Sequence, residues 1–200
     1  MESPLICLAS LSPRRHELLE QLGVPHQQIA VAIDESLQLG ESAEEYVLRL
    51  ALAKAEAGRA MIESGRKLPV LGADTAVVVD HEILGKPADR EEGIRMLLRL
   101  SGRSHRVLTG AALIAAQSAT RLSESRVRFR SISEQEALVY WQSGEPADKA
   151  GGYAIQGLGA LFVSRLEGSF SGVMGLPLFE TAELLAEAGI KLLDKKILGA

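Results

Sequence analysis

The chain of 200 residues has one cysteine, few aromatic residues and no stretch of eighteen apolar residues. A single cysteine excludes an internal disulfide, and the apolar surroundings of Cys7 favour a buried, unreactive thiol. Without a long apolar stretch, the sequence predicts no membrane-spanning helix. The first residues include Glu2 and no basic region, so we expect no signal peptide and a cytoplasmic location.

Positive charge is not in excess either, because the chain has 22 Lys and Arg but 26 Asp and Glu, and its net charge is −4. An acidic chain is not expected to coat nucleic acid polymers. A nucleotide substrate remains open, because a pocket needs only a local group of cations, and a divalent metal can add to it. No linker, repeat or low-complexity segment divides the chain. We therefore expect residues 1–200 to form one domain with room for two lobes.

Helix and strand signals alternate along the sequence, with an antiparallel part in the second half. This order predicts an α/β fold with a mixed sheet. Two capping boxes, Ser42 with Glu45 and Ser133 with Glu136, mark helix starts. The predicted strands are 4–9, 28–33, 68–73, 76–79, 83–84, 106–116, 126–132 and 160–166, and the predicted helices are 13–22, 42–63, 89–100, 133–143 and 177–189.

Two hydroxyls, two guanidiniums and a helix start follow the first strand, in the segment Ser10 to Arg15. Ser12 suits the N-cap and Pro13 the first helical position, whereas Ser10 has no capping duty and suits a phosphate contact. Cations at a helix N-terminus oppose the macrodipole, so Arg14 and Arg15 are expected there only if an anion binds. The segment predicts a polyphosphate site.

Two carboxylates follow predicted strands. Asp74 comes after residues 68–72, and the β-branched residues behind it exclude a helix that it could cap. Glu35 follows the predicted strand 28–33, where a solvated loop residue is the simpler interpretation. Carboxylates at neighbouring strand ends can share one hard cation.

Three further polar residues have both a structural and a functional interpretation. Lys54 lies on the apolar face of a helix, where a lysine at the edge of the core is the simpler one. Lys86 lies between Gly85 and Pro87, and its functional interpretation is stronger. Gln156 lies in a glycine-rich loop, where glutamine is usually solvated. Its amide both donates and accepts, so it can also read a uracil-type edge.

Six short motifs follow one another along the chain. They are residues 9–15 (Ala-Ser-Leu-Ser-Pro-Arg-Arg), 71–75 (Leu-Gly-Ala-Asp-Thr), 84–87 (Leu-Gly-Lys-Pro), Ser101-Gly102 with His105 and Thr109, 148–157 (Asp-Lys-Ala-Gly-Gly-Tyr-Ala-Ile-Gln-Gly) and 173–177 (Val-Met-Gly-Leu-Pro). In this order they resemble the motifs of the Maf family of nucleoside triphosphate pyrophosphatases. The resemblance implies an elongated mixed α/β sheet with flanking helices and two lobes around a central cleft, as in Maf and ITPase folds. It also implies hydrolysis between the α and β phosphates, assisted by a divalent metal, Mg²⁺ or Mn²⁺.

The same resemblance implies roles for the catalytic candidates. Asp74 corresponds to the proposed general base beside the metal, and Glu35 becomes a metal or water-orienting ligand. Lys54 corresponds to a lysine that faces the phosphates, and Lys86, which belongs to the third motif, is expected to act on them too. Ser10 and Arg15 are expected to contact the substrate with them, and Arg14 bears on its specificity.

The finer resemblance concerns the base. Thr75 and the pair Ile155-Gln156 resemble the branch that acts on dTTP and UTP, with Gln156 as the base reader. The alternatives are the branch that takes 7-methyl-GTP and a nucleotide-binding regulator of septum formation. A nucleoside triphosphate is the expected partner, without nucleic acid polymer or membrane, and a homodimer is possible.

Overall fold

A computed structural model describes residues 5–62 and 68–193 and confirms a mixed α/β fold. The strands form one sheet in the order β2-β1-β3-β5-β6-β7, with β4 paired to β3. β1 is parallel to β2 and β3, whereas β4 is antiparallel to β3 and β7 to β6. The strands are β1 (Ile6–Leu8), β2 (His26–Gln28), β3 (Val70–Val79), β4 (Glu82–Leu84), β5 (Ser104–Ile114), β6 (Ser118–Phe129) and β7 (Val163–Glu167).

Six α-helices accompany these strands in the described ranges. Both predicted capping boxes are formed, and Asp89 caps its helix through Glu92 N–H, as the sequence indicates. Within residues 5–62 and 68–193, none of these helices combines the length and the apolar character needed to cross a membrane. The helices are α1 (Pro13–Gln21), α2 (Ala43–Ala60), α3 (Arg90–Leu100), α4 (Glu134–Gln142), α5 (Phe170–Met174) and α6 (Leu178–Glu187), with short 3₁₀ turns at Ala150–Gly152 and Leu158–Phe162.

Contacts between residues divide the chain into two compact units. Unit 1 comprises residues 1–74, 109–123 and 175–200, and unit 2 comprises residues 75–108 and 124–174. The core of unit 1 includes many small residues, among them Ala9, Ala51, Ala55 and Ala112, and it also buries Cys7 as predicted. The core of unit 2 is built on aromatic rings, with Phe129 in edge-on contact with Tyr153 and Phe162 with Tyr140.

Helix α2 packs against the sheet with almost no side chain between them. A Cβ atom on Gly72 of β3 would overlap Ala51 O and lie 2.7 Å from Ala55 N. A Cβ atom on Gly110 of the neighbouring β5 would lie 2.7 Å from Val47 C. Only glycine permits so close an approach of helix backbone to strand.

The close packing at Gly72 makes a prediction about stability. Gly72→Ala is expected to lower the free energy of unfolding by about 1–3 kcal/mol, because its Cβ meets backbone atoms that cannot rotate away. Urea unfolding followed by circular dichroism measures the change. Gly85→Ala is the matched control, since nothing lies within 4 Å of its Cβ position. Equal midpoints for the two variants would contradict the packing argument.

Two strand predictions were wrong in a way that matters for the site. The segment 28–33 is not a strand beyond Gln28, because β1, its partner, ends at Leu8. In place of the predicted strands 68–73 and 76–79 there is a single strand, β3 (Val70–Val79), which runs through Asp74. The β-branched residues 75–79 sustain the strand past the polar side chain.

Other boundaries moved by a few residues. Strand β6 begins at Ser118 and ends at Phe129, where the sequence suggested 126–132. The segment 160–166 starts as a 3₁₀ turn and becomes strand β7 only at Val163. Helix α2 ends at Ala60, and the predicted end at Glu63 lies outside the described residues.

Candidate active site

Lys54 joins the two predicted carboxylates in unit 1. Its Nζ lies 2.6 Å from Asp74 Oδ1 and 2.6 Å from Glu35 Oε1. The side chains of Lys54 and Asp74 are 12% and 11% exposed, whereas that of Glu35 is 48% exposed. Lys54 is therefore not merely a lysine at the core edge, because its ammonium compensates two carboxylate charges.

The local packing explains why Lys54 meets Asp74. Successive strand residues face opposite sides of a sheet, so Asp74 lies on the same side of β3 as Gly72. Gly72 is the point at which α2 touches the strand, next to Ala51 and Ala55. Asp74 therefore points to the helix that carries Lys54. The prediction of a carboxylate at a strand end was wrong, since Asp74 lies inside β3.

Glu35 lies in an extended segment without regular secondary structure, and hydrogen bonds fix that segment. Asp34 Oδ1 accepts from Ser36 N at 2.9 Å and from Ser36 Oγ at 2.6 Å, and this hydroxyl contact lowers the pKa of Asp34. Tyr46 OH donates to Glu35 O at 3.0 Å, and Arg49 Nη2 donates to Ser36 O at 3.1 Å. The backbone on both sides of Glu35 is therefore tied down.

Tyr46 also contributes to this cluster, although it was not predicted as a site residue. Burial raises the pKa of its hydroxyl, and the charges of Asp74 and Glu35 raise it further. The sequence does contain a sign of this role. The chain has only three tyrosines, and Tyr46 lies about two turns before Lys54 on the same predicted helix.

Ser10 and Arg15 are connected at the start of α1. Ser10 Oγ accepts from Ser12 N at 3.1 Å and from Arg15 Nη1 at 3.3 Å. Ser12 occupies the N-cap, yet its side chain makes no capping hydrogen bond. The N-cap position of Ser12 is as predicted, but the hydroxyl that accepts a backbone N–H in this turn is that of Ser10. The phosphate contact of Ser10 stays a prediction. Arg15 Nε also donates to Gly175 O at 2.8 Å, which links the first motif to the last.

The charged groups of unit 1 act on one another. Burial lowers the pKa of the Arg15 guanidinium, Asp74 and Glu35 oppose this shift, and Arg14 adds to it. The first turn of α1 contains no acidic residue. Six sequence-predicted residues of unit 1 thus form one cluster, whose members are Ser10, Arg14, Arg15, Glu35, Lys54 and Asp74.

The other candidates belong to unit 2. Lys86 and Gln156 are exposed, and Thr75 is half-buried. Gly151 N donates to Gly85 O at 2.9 Å, so the loop of Lys86 lies beside the glycine-rich loop that leads to Gln156. Gly151 has a φ of 68°, which glycine adopts most readily.

Side-chain contacts on both sides of Gln156 hold the glycine-rich loop. Glu145 accepts from Tyr140 OH at 2.6 Å and from Gly159 N at 3.0 Å, and so anchors the residues after Gln156. Before Gln156, the Tyr153 hydroxyl lies 2.8 Å from His105 Nε2. Burial lowers the pKa of His105 to about 4, so the ring is neutral at pH 7. Glu145 lies outside the six motifs, so the sequence gives no sign of this role.

A model of the family described as Maf-like protein matches residues 5–188. The chain belongs to the Maf family. This confirms the resemblance that the six motifs indicate.

Curated relatives of this Maf chain share most of its length. It is 58% identical over 187 residues to the dTTP/UTP pyrophosphatase of Alkalilimnicola ehrlichii, covering 92% of this chain and 93% of that protein. It is 53% identical over 180 residues to the protein of the same name from Saccharophagus degradans, covering 89% and 86%. Among solved structures, the Staphylococcus aureus Ham1 protein matches 64% of this chain and 72% of its own, with 18% identity and a TM-score of 0.43.

The carboxylate pair of this Maf chain fits a hard cation. One oxygen of Asp74 and one of Glu35 converge on a single point, at which Lys54 Nζ now lies. Mg²⁺ is commonly bound through one or two carboxylates together with water and substrate phosphates. Over residues 5–62 and 68–193, no group of three or more His, Cys, Asp or Glu side chains is placed to hold a metal. A bound cation would therefore depend on oxygens of water or substrate.

Proposed function

We propose that this chain is a nucleoside triphosphate pyrophosphatase that hydrolyses dTTP and UTP to the monophosphate and pyrophosphate. Two relatives at 58% and 53% identity bear that name. The observation that carries the proposal is the bridge from Lys54 to Asp74 and Glu35, next to the arginines that start α1. A buried acid beside several cations suits attack on a phosphoric anhydride.

In the proposed reaction, Asp74 is the general base. It takes a proton from a water molecule as the water oxygen forms a bond to the α-phosphorus. The bond from that phosphorus to the bridging oxygen breaks, and pyrophosphate leaves with the bonding electrons. Glu35, fixed by its loop, orients the water from the other side of Lys54.

The positive groups stabilise the charge that develops on the departing pyrophosphate. Arg14, Arg15 and Lys54 are the candidates in unit 1, and the positive end of the α1 dipole adds to them. Because Arg15 is already held by Ser10 and Gly175, its guanidinium needs little reordering on binding. Lys86 remains a prediction as a further phosphate contact.

Asp74 and Glu35 are the residues that would hold Mg²⁺ or Mn²⁺. Such a cation neutralises phosphate charge and acidifies a coordinated water when it is bound. The same two carboxylates can serve Lys54 or a hard cation, because both are satisfied by a positive centre between the oxygens. The setting that this activity implies is the cytoplasm, with free nucleotides as substrates. A homodimer stays a prediction.

The base is proposed to be read by Gln156, helped by Thr75 and Arg14. Uracil and thymine present the same edge, an N–H between two carbonyl groups, which one amide side chain can match. The two bases differ by one methyl group, and a methyl group discriminates only weakly. Cytosine reverses donor and acceptor, and a buried group left unpaired rejects a base more strongly.

A panel of nucleotides tests the proposed substrate choice. We expect dTTP and UTP to be turned over within about two orders of magnitude of each other, with CTP, ATP and GTP well behind. Gln156→Ala is expected to narrow this selectivity. Pyrophosphate release, measured at equal nucleotide concentrations, gives the comparison.

The control is Gln142→Ala, the same change at another exposed position of unit 2. Unchanged selectivity in Gln156→Ala would remove this side chain from base reading. A wild-type preference for 7-methyl-GTP would move the chain to the other branch of the family, and absence of turnover with every nucleotide would refute the enzymatic proposal.

A further inference from the structure

The exposed side of β6 and β7 in unit 2 presents a run of arginines. From Ser123 to Phe129, β6 alternates between buried and exposed residues, so Arg126 and Arg128 point to the exposed side. In the pairing with β7, Arg126 lies opposite Glu167 and Arg128 lies opposite Arg165. Like charges directly opposite each other destabilise a sheet. This position is therefore unfavourable unless something negative lies between the two guanidiniums.

Nearby carboxylates neutralise this region only in part, through one ion pair to Arg165. Glu167 Oε1 lies 2.7 Å from Arg165 Nη2, so it already has a partner. Glu124 of β6 pairs instead with Arg106 of the adjacent strand β5, at 2.7 Å. Among residues 5–62 and 68–193, no hydrogen bond or ion pair holds the guanidinium of Arg126 or Arg128.

The arginines surround a small depression. Its lining residues are Ser104, Arg126, Arg128, Arg165 and Glu167, and its volume is about 210 Å³. Pockets for drug-sized ligands are usually larger, about 300–1,000 Å³. The depression therefore suits a small ion better than a nucleotide. Three guanidiniums and one carboxylate leave an excess of positive charge in a chain whose net charge is −4.

We propose that this depression, the β6–β7 arginine site, binds a small polyvalent oxyanion of the phosphate class, such as inorganic phosphate or pyrophosphate. Guanidiniums donate paired hydrogen bonds to phosphate oxygens, and the Ser104 hydroxyl adds another donor. Such an anion also relieves the repulsion between Arg128 and Arg165. None of these residues belongs to the cluster around Lys54 that is proposed to hydrolyse the nucleotide. The two proposals can therefore be tested independently.

The test follows backbone amide signals by NMR while sodium pyrophosphate is added to the full-length protein at fixed ionic strength and without divalent metal. Signals of residues 126–128 and 165–167 are expected to shift and saturate. Because pyrophosphate is also the proposed product, signals near Lys54 report that cluster separately. Arg128→Gln should weaken binding at the arginine site about tenfold or more, since it removes a charged hydrogen-bonding fork.

The control is Arg95→Gln, which removes the same charge from an exposed position on α3 in the same unit. It should leave the affinity unchanged. Arg165→Gln is a second variant, expected to weaken binding like Arg128→Gln. Arg128→Gln should not lower the melting temperature of the ligand-free protein, because it removes a repulsion between like charges.

Three results would overturn the proposal. One is the absence of saturable shifts at residues 126–128 and 165–167. Another is an equal loss of affinity in Arg95→Gln, which would indicate an effect of overall charge. The third is a short single-stranded oligonucleotide that shifts the same signals at lower concentration than pyrophosphate, because the site would then serve a nucleic acid backbone.

Discussion

Asp74→Asn is expected to reduce turnover of dTTP by about 10²–10⁴-fold while the chain stays folded. General base catalysis contributes on that scale, and an amide cannot accept the proton from the attacking water. The amide oxygen can still accept a hydrogen bond from Lys54 Nζ, which lies 2.6 Å from Asp74 Oδ1 in the wild type. The hydrogen bond between residues 54 and 74 is thus kept, although the negative charge of residue 74 is lost. Pyrophosphate release in the presence of Mg²⁺ measures the effect.

Asp80→Asn is the matched control for this change. Asp80 is an exposed aspartate in the turn between β3 and β4, and its partner is Arg103. Its φ of 53° is compatible with asparagine. The control should keep full turnover. If purified, folded Asp74→Asn also kept wild-type turnover, Asp74 would not be the base.

Much of the candidate site was visible in the sequence, but as separate pieces. The chemistry of Arg14 and Arg15 at a helix start, and of Asp74 in an apolar segment, followed from local rules. The motifs then assigned these residues to one family. Local rules did not predict that Lys54 pairs with Asp74, because a lysine at the edge of the core was the simpler interpretation. Its contact with Asp74 depends on how closely α2 approaches Gly72, a tertiary fact.

The same limit applies to the strands. The residues Gly72 and Asp74 are unfavourable in strands, so the sequence suggested two short strands where pairing with neighbours sustains one. On β6, arginines alternate with buried residues, a pattern typical of a strand with one exposed side. The opposition of Arg128 to Arg165 could not be foreseen, because it depends on the register between β6 and β7. Sequence patterns thus indicate which side a residue faces, and only the fold shows what it meets there.

Lys54→Met is expected to weaken both catalysis and stability. Methionine has a similar length but no charge, so two carboxylates would converge without their cation. We expect turnover to fall by about 10²–10³-fold, as when a group that stabilises transition-state charge is removed. The free energy of unfolding should fall by about 1–3 kcal/mol, because the carboxylate of Asp74 is left buried without its hydrogen-bonding partner. Urea unfolding and pyrophosphate release measure the two effects.

Lys149→Met is the control, since Lys149 is similarly shielded at 14% exposure but its partner Asp148 is 67% exposed. A largely exposed pair contributes little, so this variant should lose less than about 1 kcal/mol. Mn²⁺ should raise the melting temperature of Lys54→Met more than that of the wild type, because the carboxylates are then free to hold it. This gain should disappear when Asp74→Asn is added.

The double variant Lys54→Met with Asp74→Asn decides whether the two residues act through their contact. Either single change already removes the ion pair between residues 54 and 74. The second change therefore costs less stability than it does alone, and the two losses should not add. We expect a coupling of about 0.5–3 kcal/mol, the range found for residues in contact. Strictly additive losses would mean that the ion pair contributes nothing to stability. Together with an unchanged turnover in Lys54→Met, they would reduce Lys54 to a lysine at the edge of the core.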